Sequence, residues 1–308
     1  MNLKGEPNCW LSFFTVMKVL FIHAHFDDYE FCTAGTFEVW RRNLDNDFHA
    51  KVIVCTDGKA GHHQLSRDET GRIRLEEQLK SSSIGEYDFE QLKLPNGEAP
   101  REACLQVDVP LLASLWKTIR DFEPDYLFCP PLPNDPLAGI HVDHVAVAEA
   151  IRRVAYMINV PHAFTPEYPS QDSHPKQCKV PVILNTYDGY MFGENAFDLV
   201  IDVSEAFDLV AEISWCHQSQ VTEWLPWVGR HDIEVPKSIE EWKSTLKRRY
   251  SKRNAELGLE NLPMAEFFTV TAWGEIPTLE QLKSDFPKLI TPAEIEIQLA
   301  EKLTRWQI

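Results

Sequence analysis

"FIHAHFDDYEF", residues 21–31, is the stretch that decides how this 308-residue chain reads. It overlaps the short apolar run Val19-Leu20-Phe21-Ile22 and then sets two histidines and two adjacent aspartates within residues 23–28. A continuous apolar run of this kind reads as a strand buried on both faces. Polar, metal-binding side chains directly behind such a strand occupy the place where open α/β sheets hold their ligands, the crevice beyond the carboxyl ends of the strands.

Outward from that stretch, strands and helices alternate. Residues 34–44 have helical spacing, and residues 50–56 read as a second strand ending in the turn pair Asp57-Gly58. Residues 67–83 read as a polar-faced helix and 89–94 as a strand. An amphipathic helix over 109–122 precedes a strand at 125–131 that prolines stop. Residues 141–158 form the next predicted helix, 180–189 and 197–204 later strands, and 205–221 another helix. The expected fold is therefore α/β, a Rossmann-like and mostly parallel sheet with helices on both faces. From about Val221 this alternation stops, and "EWLPWVGRHD" carries large rings that need burial. The expected organisation is an N-terminal extension (1–17), the α/β domain (18–220) and a C-terminal covering segment (221–308) packed on the same domain.

Composition narrows the function. Thirty Lys and Arg against 47 Asp and Glu give a formal charge of -17, which argues against nucleic acid or an anionic membrane surface as partner. No apolar stretch approaches the ~20 residues of a membrane helix. Seven scattered cysteines, several inside strand-like runs and none in a C-x-x-C pair, fit buried free thiols and a cytoplasmic location.

A hydrolytic zinc site needs three protein ligands and an open water position. His25 and Asp28 supply two, and "GIHVDHVAVAEA", where His141, Asp143 and His144 open a helix, is the best source of a third. "AHFDDYE" (residues 24–30) followed by "HVDH" (residues 141–144) resembles the paired signatures of the PIG-L/LmbE-like N-acetylglucosaminide deacetylases. "VCTDGKAG", "RIRLEEQLKSSSIG" and "VIDVSEAFDLVAEISWCHQSQ" extend the similarity over residues 18–220. Phe26 and Val142 stand where the family has prolines, and Tyr29 shifts its glutamate by one place to Glu30.

The resemblance implies a zinc-dependent deacetylase, with Fe(II) as the alternative ion, acting on a small N-acetyl sugar or a related amide. It implies His25, Asp28 and His144 as metal ligands and Asp27 as general base. His141 is implied as a protonated oxyanion stabiliser oriented by Asp143. Related enzymes often assemble, so a homo-oligomer is a further implication. Asp57 is expected to make a turn and touch substrate, Arg72 or Arg74 to reach a sugar hydroxyl, and His217 to line the pocket. His62-His63 read as a surface loop, and Trp224 and Trp227 as buried rings of the cover. The rival reading takes "HAHFDD" as the H-x-H start of another metal-dependent amidohydrolase acting on a non-sugar amide, with both His23 and His25 as ligands.

Overall fold

The computed structural model describes residues 16–307 apart from 173–175, 192 and 230–232, so all but the last two residues of the expected extension lie outside it. The chain runs β1 (Met17–His23), α1 (Asp28–Cys32), α2 (Ala34–Leu44), β2 (Phe48–Val54), α3 (Arg67–Gly85), β3 (Asp88–Gln91), α4 (Val109–Phe122), β4 (Tyr126–Cys129) and α5 (Val142–Met157). It continues through β5 (Val182–Thr186), β6 (Leu199–Asp202), α6 (Phe207–Trp215), a π-helical turn (Ser219–Trp224), α7 (Leu225–Val228), α8 (Ile239–Glu256), β7 (Ala265–Val270), α9 (Leu279–Asp285) and α10 (Ala293–Trp306). The strands form one sheet in the order β3-β2-β1-β4-β5-β7-β6. The first five run parallel to one another, and β7 runs antiparallel to both β5 and β6.

Alternation along the strands distributes the core to two faces. Val19 and Phe21 of β1, Phe128 of β4 and Leu184 of β5 pack with Phe37 and Trp40 of α2, Val210 of α6, and Trp242 and Leu246 of α8. Leu20, Ile22, Leu127 and Ile183, one residue out of phase, pack on the other face with Leu115, Trp116 and Ile119 of α4 and Ile151 of α5. The mostly parallel, doubly covered sheet is the expected one. The segment after Val221 differs from expectation, because its "EFFTV" run (residues 266–270) is a strand inside the sheet, and α8, α9 and α10 join the same core as β1.

Helix α3 departs from the usual amphipathic pattern. Its buried positions, Thr70, Gly71, Arg74, Gln78 and Ser81, share one helical face and are almost all polar. A capping box between Ser66 and Glu69 fixes its start. A buried polar stripe must find partners, and it finds them in the segment that follows β1.

Candidate active site

Strands β1 and β4 are neighbours, yet β1 continues to β2 on one side and β4 to β5 on the other. The crevice at their carboxyl ends is the switch point at which such sheets bind ligands. His25, Asp27 and Asp28 follow β1, Asp143 and His144 lie in the first turn of α5, and Asp188 follows β5. All six are buried or nearly so.

Hydrogen bonds assign the tautomers. His144 donates from Nδ1 to Asp188 Oδ2 at 2.6 Å, which leaves the Nε2 lone pair free. His25 bonds through Nε2 to Asp143 Oδ2 at 3.0 Å, which turns Nδ1 towards His144 Nε2, 3.1 Å away. Asp28 Oδ2 accepts from His23 Nδ1 at 2.5 Å and from the His25 backbone N–H at 2.7 Å. Its other oxygen, Oδ1, lies 3.6 Å from His144 Nε2. Two imidazole nitrogens and a carboxylate oxygen thus converge, each held from behind by another group. A shared proton or a cation satisfies groups crowded in this way, and carboxylate-oriented histidines are the usual backing of metal ligands. Burial alone would lower the pKa of His25, but the charge of Asp28 and the bond to Asp143 raise it to about 10, so positive charge is favoured here.

His23 lies beside the same point, with ligand-type atoms of His23, Asp28 and His144 within 4.8 Å of one another, but it is engaged differently. It spends Nδ1 on Asp28, and its buried Nε2 has no hydrogen-bond partner. His141 also lies close, with ligand-type atoms of His25, His141 and His144 within 4.8 Å of one another. However, His141 Nδ1 accepts the Asp143 backbone N–H at 3.2 Å as the cap of α5, so Nε2 carries the proton. His141 is therefore placed as a donor. Burial, then His25 and His144, lower its pKa to about 4, so the expected protonated His141 is corrected to a neutral imidazole at pH 7. The expected pairing of Asp143 with His141 is also corrected. The Asp143 carboxylate is taken by His25 and by the backbone N–H groups of Ala103 and Leu105.

Asp27 caps α1 in the left-handed region (φ 86°, ψ −19°), a conformation that costs a non-glycine residue about 1–3 kcal/mol. Its backbone N–H reaches Gln78 Oε1 at 3.3 Å, and its carboxylate lies 3.6 Å from Arg74 Nη2. Burial, opposed by Arg74 and reinforced by Asp28, raises its pKa to about 7. Arg74 is itself anchored, donating to Glu102 Oε1 and to the Phe26 carbonyl, each at 2.7 Å. Of the two arginines named from sequence, Arg74 faces the site, whereas Arg72 is exposed and paired with Glu76.

Asp57 anchors the loop behind the site. It accepts from the backbone of Lys59 and Glu102 and from Arg67. Gly58 beside it has φ +63°, and a Cβ there would run into the Phe26 ring, so the turn requires glycine. His217 is fully buried with Nε2 3.2 Å from Glu30 Oε1, and Glu30 in turn accepts from Gln78, Ser81 and Tyr87. His217 thus touches the polar face of α3 through Glu30 and does not meet the histidine cluster. Asp188 and Glu102 were not foreseen. Removing the orienting bond in Asp188→Ala should weaken metal affinity by about 10–100-fold. Metal titration against a chelator measures it, and an unchanged affinity would show that Asp188 does not orient His144.

An open, mostly parallel α/β fold with a histidine–carboxylate site at its switch point is the class that these features define. Residues 20–155, which contain both clusters, match the model of the PIG-L family, described as GlcNAc-PI de-N-acetylase. Among solved structures the fold is similar to N,N'-diacetylchitobiose deacetylase from Pyrococcus horikoshii (TM-score 0.59, 20% identity, 82% of this chain and 83% of that one). It is similar to a conserved protein from Thermus thermophilus (TM-score 0.57, 18% identity, 82% and 94% covered). It is also similar to GalB, the 4-carboxy-2-hydroxymuconate hydratase of Pseudomonas putida (TM-score 0.53, 14% identity, 82% and 95% covered). At these identities the likeness is one of fold, and a neighbour named as a hydratase illustrates that the fold alone does not choose the chemistry. A search of curated protein sequences found no match.

Proposed function

We propose that the protein is a metal-dependent N-deacetylase hydrolysing the acetyl-amide bond of an N-acetylated amino sugar or glycoconjugate. The observation that carries this reading is the convergence of His25 Nδ1, His144 Nε2 and the Asp28 carboxylate beside a separate buried carboxylate, Asp27. Two nitrogens and one oxygen fit a catalytic zinc site, with Fe(II) as the alternative occupant. His25, Asp28 and His144 would hold the ion, which would polarise the amide carbonyl and acidify a water.

The chain's own residues perform the proton transfers. Asp27, with a pKa near 7, takes a proton from the attacking water and returns it to the departing amine. His141 donates its Nε2–H to the carbonyl oxygen as negative charge gathers there, and its neutrality keeps a proton available without competing for the metal position. Arg74 steadies Asp27 from behind. The six described cysteines are free, and no described helix is long and apolar enough to cross a membrane. These features support a cytoplasmic enzyme.

Metal analysis combined with an amine-release screen tests the reading. The expected result is one ion per chain and chelator-sensitive amine release from N-acetyl amino sugars. Release only from non-sugar N-acetyl amides would move the enzyme to the rival substrate class. Absence of release from every amide tested, in protein loaded with zinc or Fe(II), would overturn it.

A further inference from the structure

We propose that the cavity between α1, the loop after β5 and α8 binds an anionic group, a carboxylate or phosphate, through Arg249. Resting on the deacetylase reading, this assigns the amide substrate a second, acidic end. The cavity measures about 130 Å³ and is bounded by Phe31, Cys32, Tyr187, Gly189, Leu246 and Arg249. That far exceeds the ~10–15 Å³ that one water needs. Two of its walls are continuous with the site, since α1 begins at Asp28 and Gly189 follows Asp188, the partner of His144.

Arg249 is unlike the other arginines of its helix. Arg253, one turn on, donates to the carbonyls of Phe31 and Ala265, and Arg248 donates to Thr245 Oγ1. Arg249 is half-buried, rests over the Phe31 ring at 5.0 Å, and among the described residues has no carboxylate or hydrogen-bond acceptor on its guanidinium. A desolvated cation without a counter-charge is costly, and burial together with neighbouring Arg253 lowers its pKa. An anion in the cavity would remove that cost, and a guanidinium fork suits carboxylate and phosphate equally.

The acidic groups that face the cavity are already engaged. Glu256 accepts from the Tyr187 hydroxyl at 2.6 Å, and Glu30 Oε1 is taken by Ser81 and Tyr87. Glu30 Oε2 has no donor, but it is buried behind the cavity wall and leaves Arg249 without a counter-charge. The chemistry that fits Arg249 and the deacetylase reading together is an N-acetyl amino sugar that bears a phosphate or carboxylate. Tyr190 borders the histidine cluster, its ring edge-on to His141 and His144 at 5.6 Å each. Burial, then Asp27 and Asp28, raise its pKa, while Arg249 pulls it down.

Isothermal titration of the whole, metal-loaded chain with inorganic phosphate and with succinate tests the site without any turnover. Binding of at least one anion is expected, weakened about 10–100-fold in Arg249→Ala, as for loss of a charge-assisted bond, and largely kept in Arg249→Lys. Preference for phosphate or for succinate then identifies the anion. In the amine-release assay, Arg249→Ala should lower kcat/KM on N-acetylglucosamine 6-phosphate or N-acetylmuramic acid by a similar factor and leave neutral N-acetylglucosamine unchanged. Equal anion binding by folded wild type, Arg249→Ala and Arg249→Lys would overturn the inference and leave the deacetylase reading standing. Arg249-dependent anion binding without hydrolysis of any amide would support the anion site and overturn the deacetylase reading.

Discussion

Asp27→Asn should keep its metal and lose ~10²–10⁴-fold in kcat, the usual value of general-base assistance, with KM nearly unchanged. Asp28→Ala should instead lose the metal, and activity with it. The two side chains are adjacent but differently engaged. Asp28 Oδ2 is held by His23 Nδ1 and the His25 backbone, which turns the carboxylate towards His25 and His144. Asp27 makes no such bond, and its nearest charged partner is Arg74. Removing Asp28 also leaves His23 with both ring nitrogens unpartnered in a buried position. Metal analysis of each purified variant, paired with one amine-release assay, reads both effects. If Asp27→Asn loses metal and Asp28→Ala retains it, the two carboxylates have been assigned in reverse.

Most of the fold was legible because burial on both faces leaves unbroken apolar runs, and β1, β2, β4 and β5 each carry one. The two clusters were legible for a related reason, since each lies just beyond an apolar strand. Asp188 carried the same signal, a carboxylate two residues after β5 in "NTYDG", and could have been found by applying it once more. Glu102 carried none. It lies in an irregular segment between β3 and α4, and its position is set by contacts with Asp57 and Arg74 that have no sequence period.

The choice between Arg72 and Arg74 was hidden because α3 buries a polar face, so no apolar stripe marks which side is inward. Strand β7 was obscured because its partners β5 and β6 lie far back in the chain and the charged helix α8 precedes it. The roles of His141 and Asp143 were read from order along the chain. The geometry reassigns them because a residue that opens a helix presents its backbone N–H to the cap, and this frees the Asp143 carboxylate for His25.

Arg74→Met should destabilise the fold by about 3–5 kcal/mol at pH 8, the cost of leaving buried carboxylates without their cation. Arg74 is almost fully buried, and its partners Glu102 and Asp27 are buried as well. The sign of the pH dependence follows from both partners. Burial would raise the pKa of Glu102, but Arg74 and the other contacts hold it below its ordinary value. Its contribution is therefore present above the unfolded carboxylate range and lost as pH falls through the folded value. Asp27 is raised to about 7 by burial, and Arg74 opposes that rise. Without Arg74 the Asp27 pKa climbs further, and the folded state gives up its proton at still higher pH. The deficit of Arg74→Met should thus be largest at pH 8 and shrink towards pH 4–5, where both carboxylates are protonated in the variant. The same change should move the acid limb of the kcat/KM profile upward, because Asp27 must be ionised to accept a proton. Urea unfolding at pH 5 and pH 8, together with the rate profile, measures both effects. A deficit that is equal at the two pH values would show that Arg74 acts by packing and not through the charges of Asp27 and Glu102.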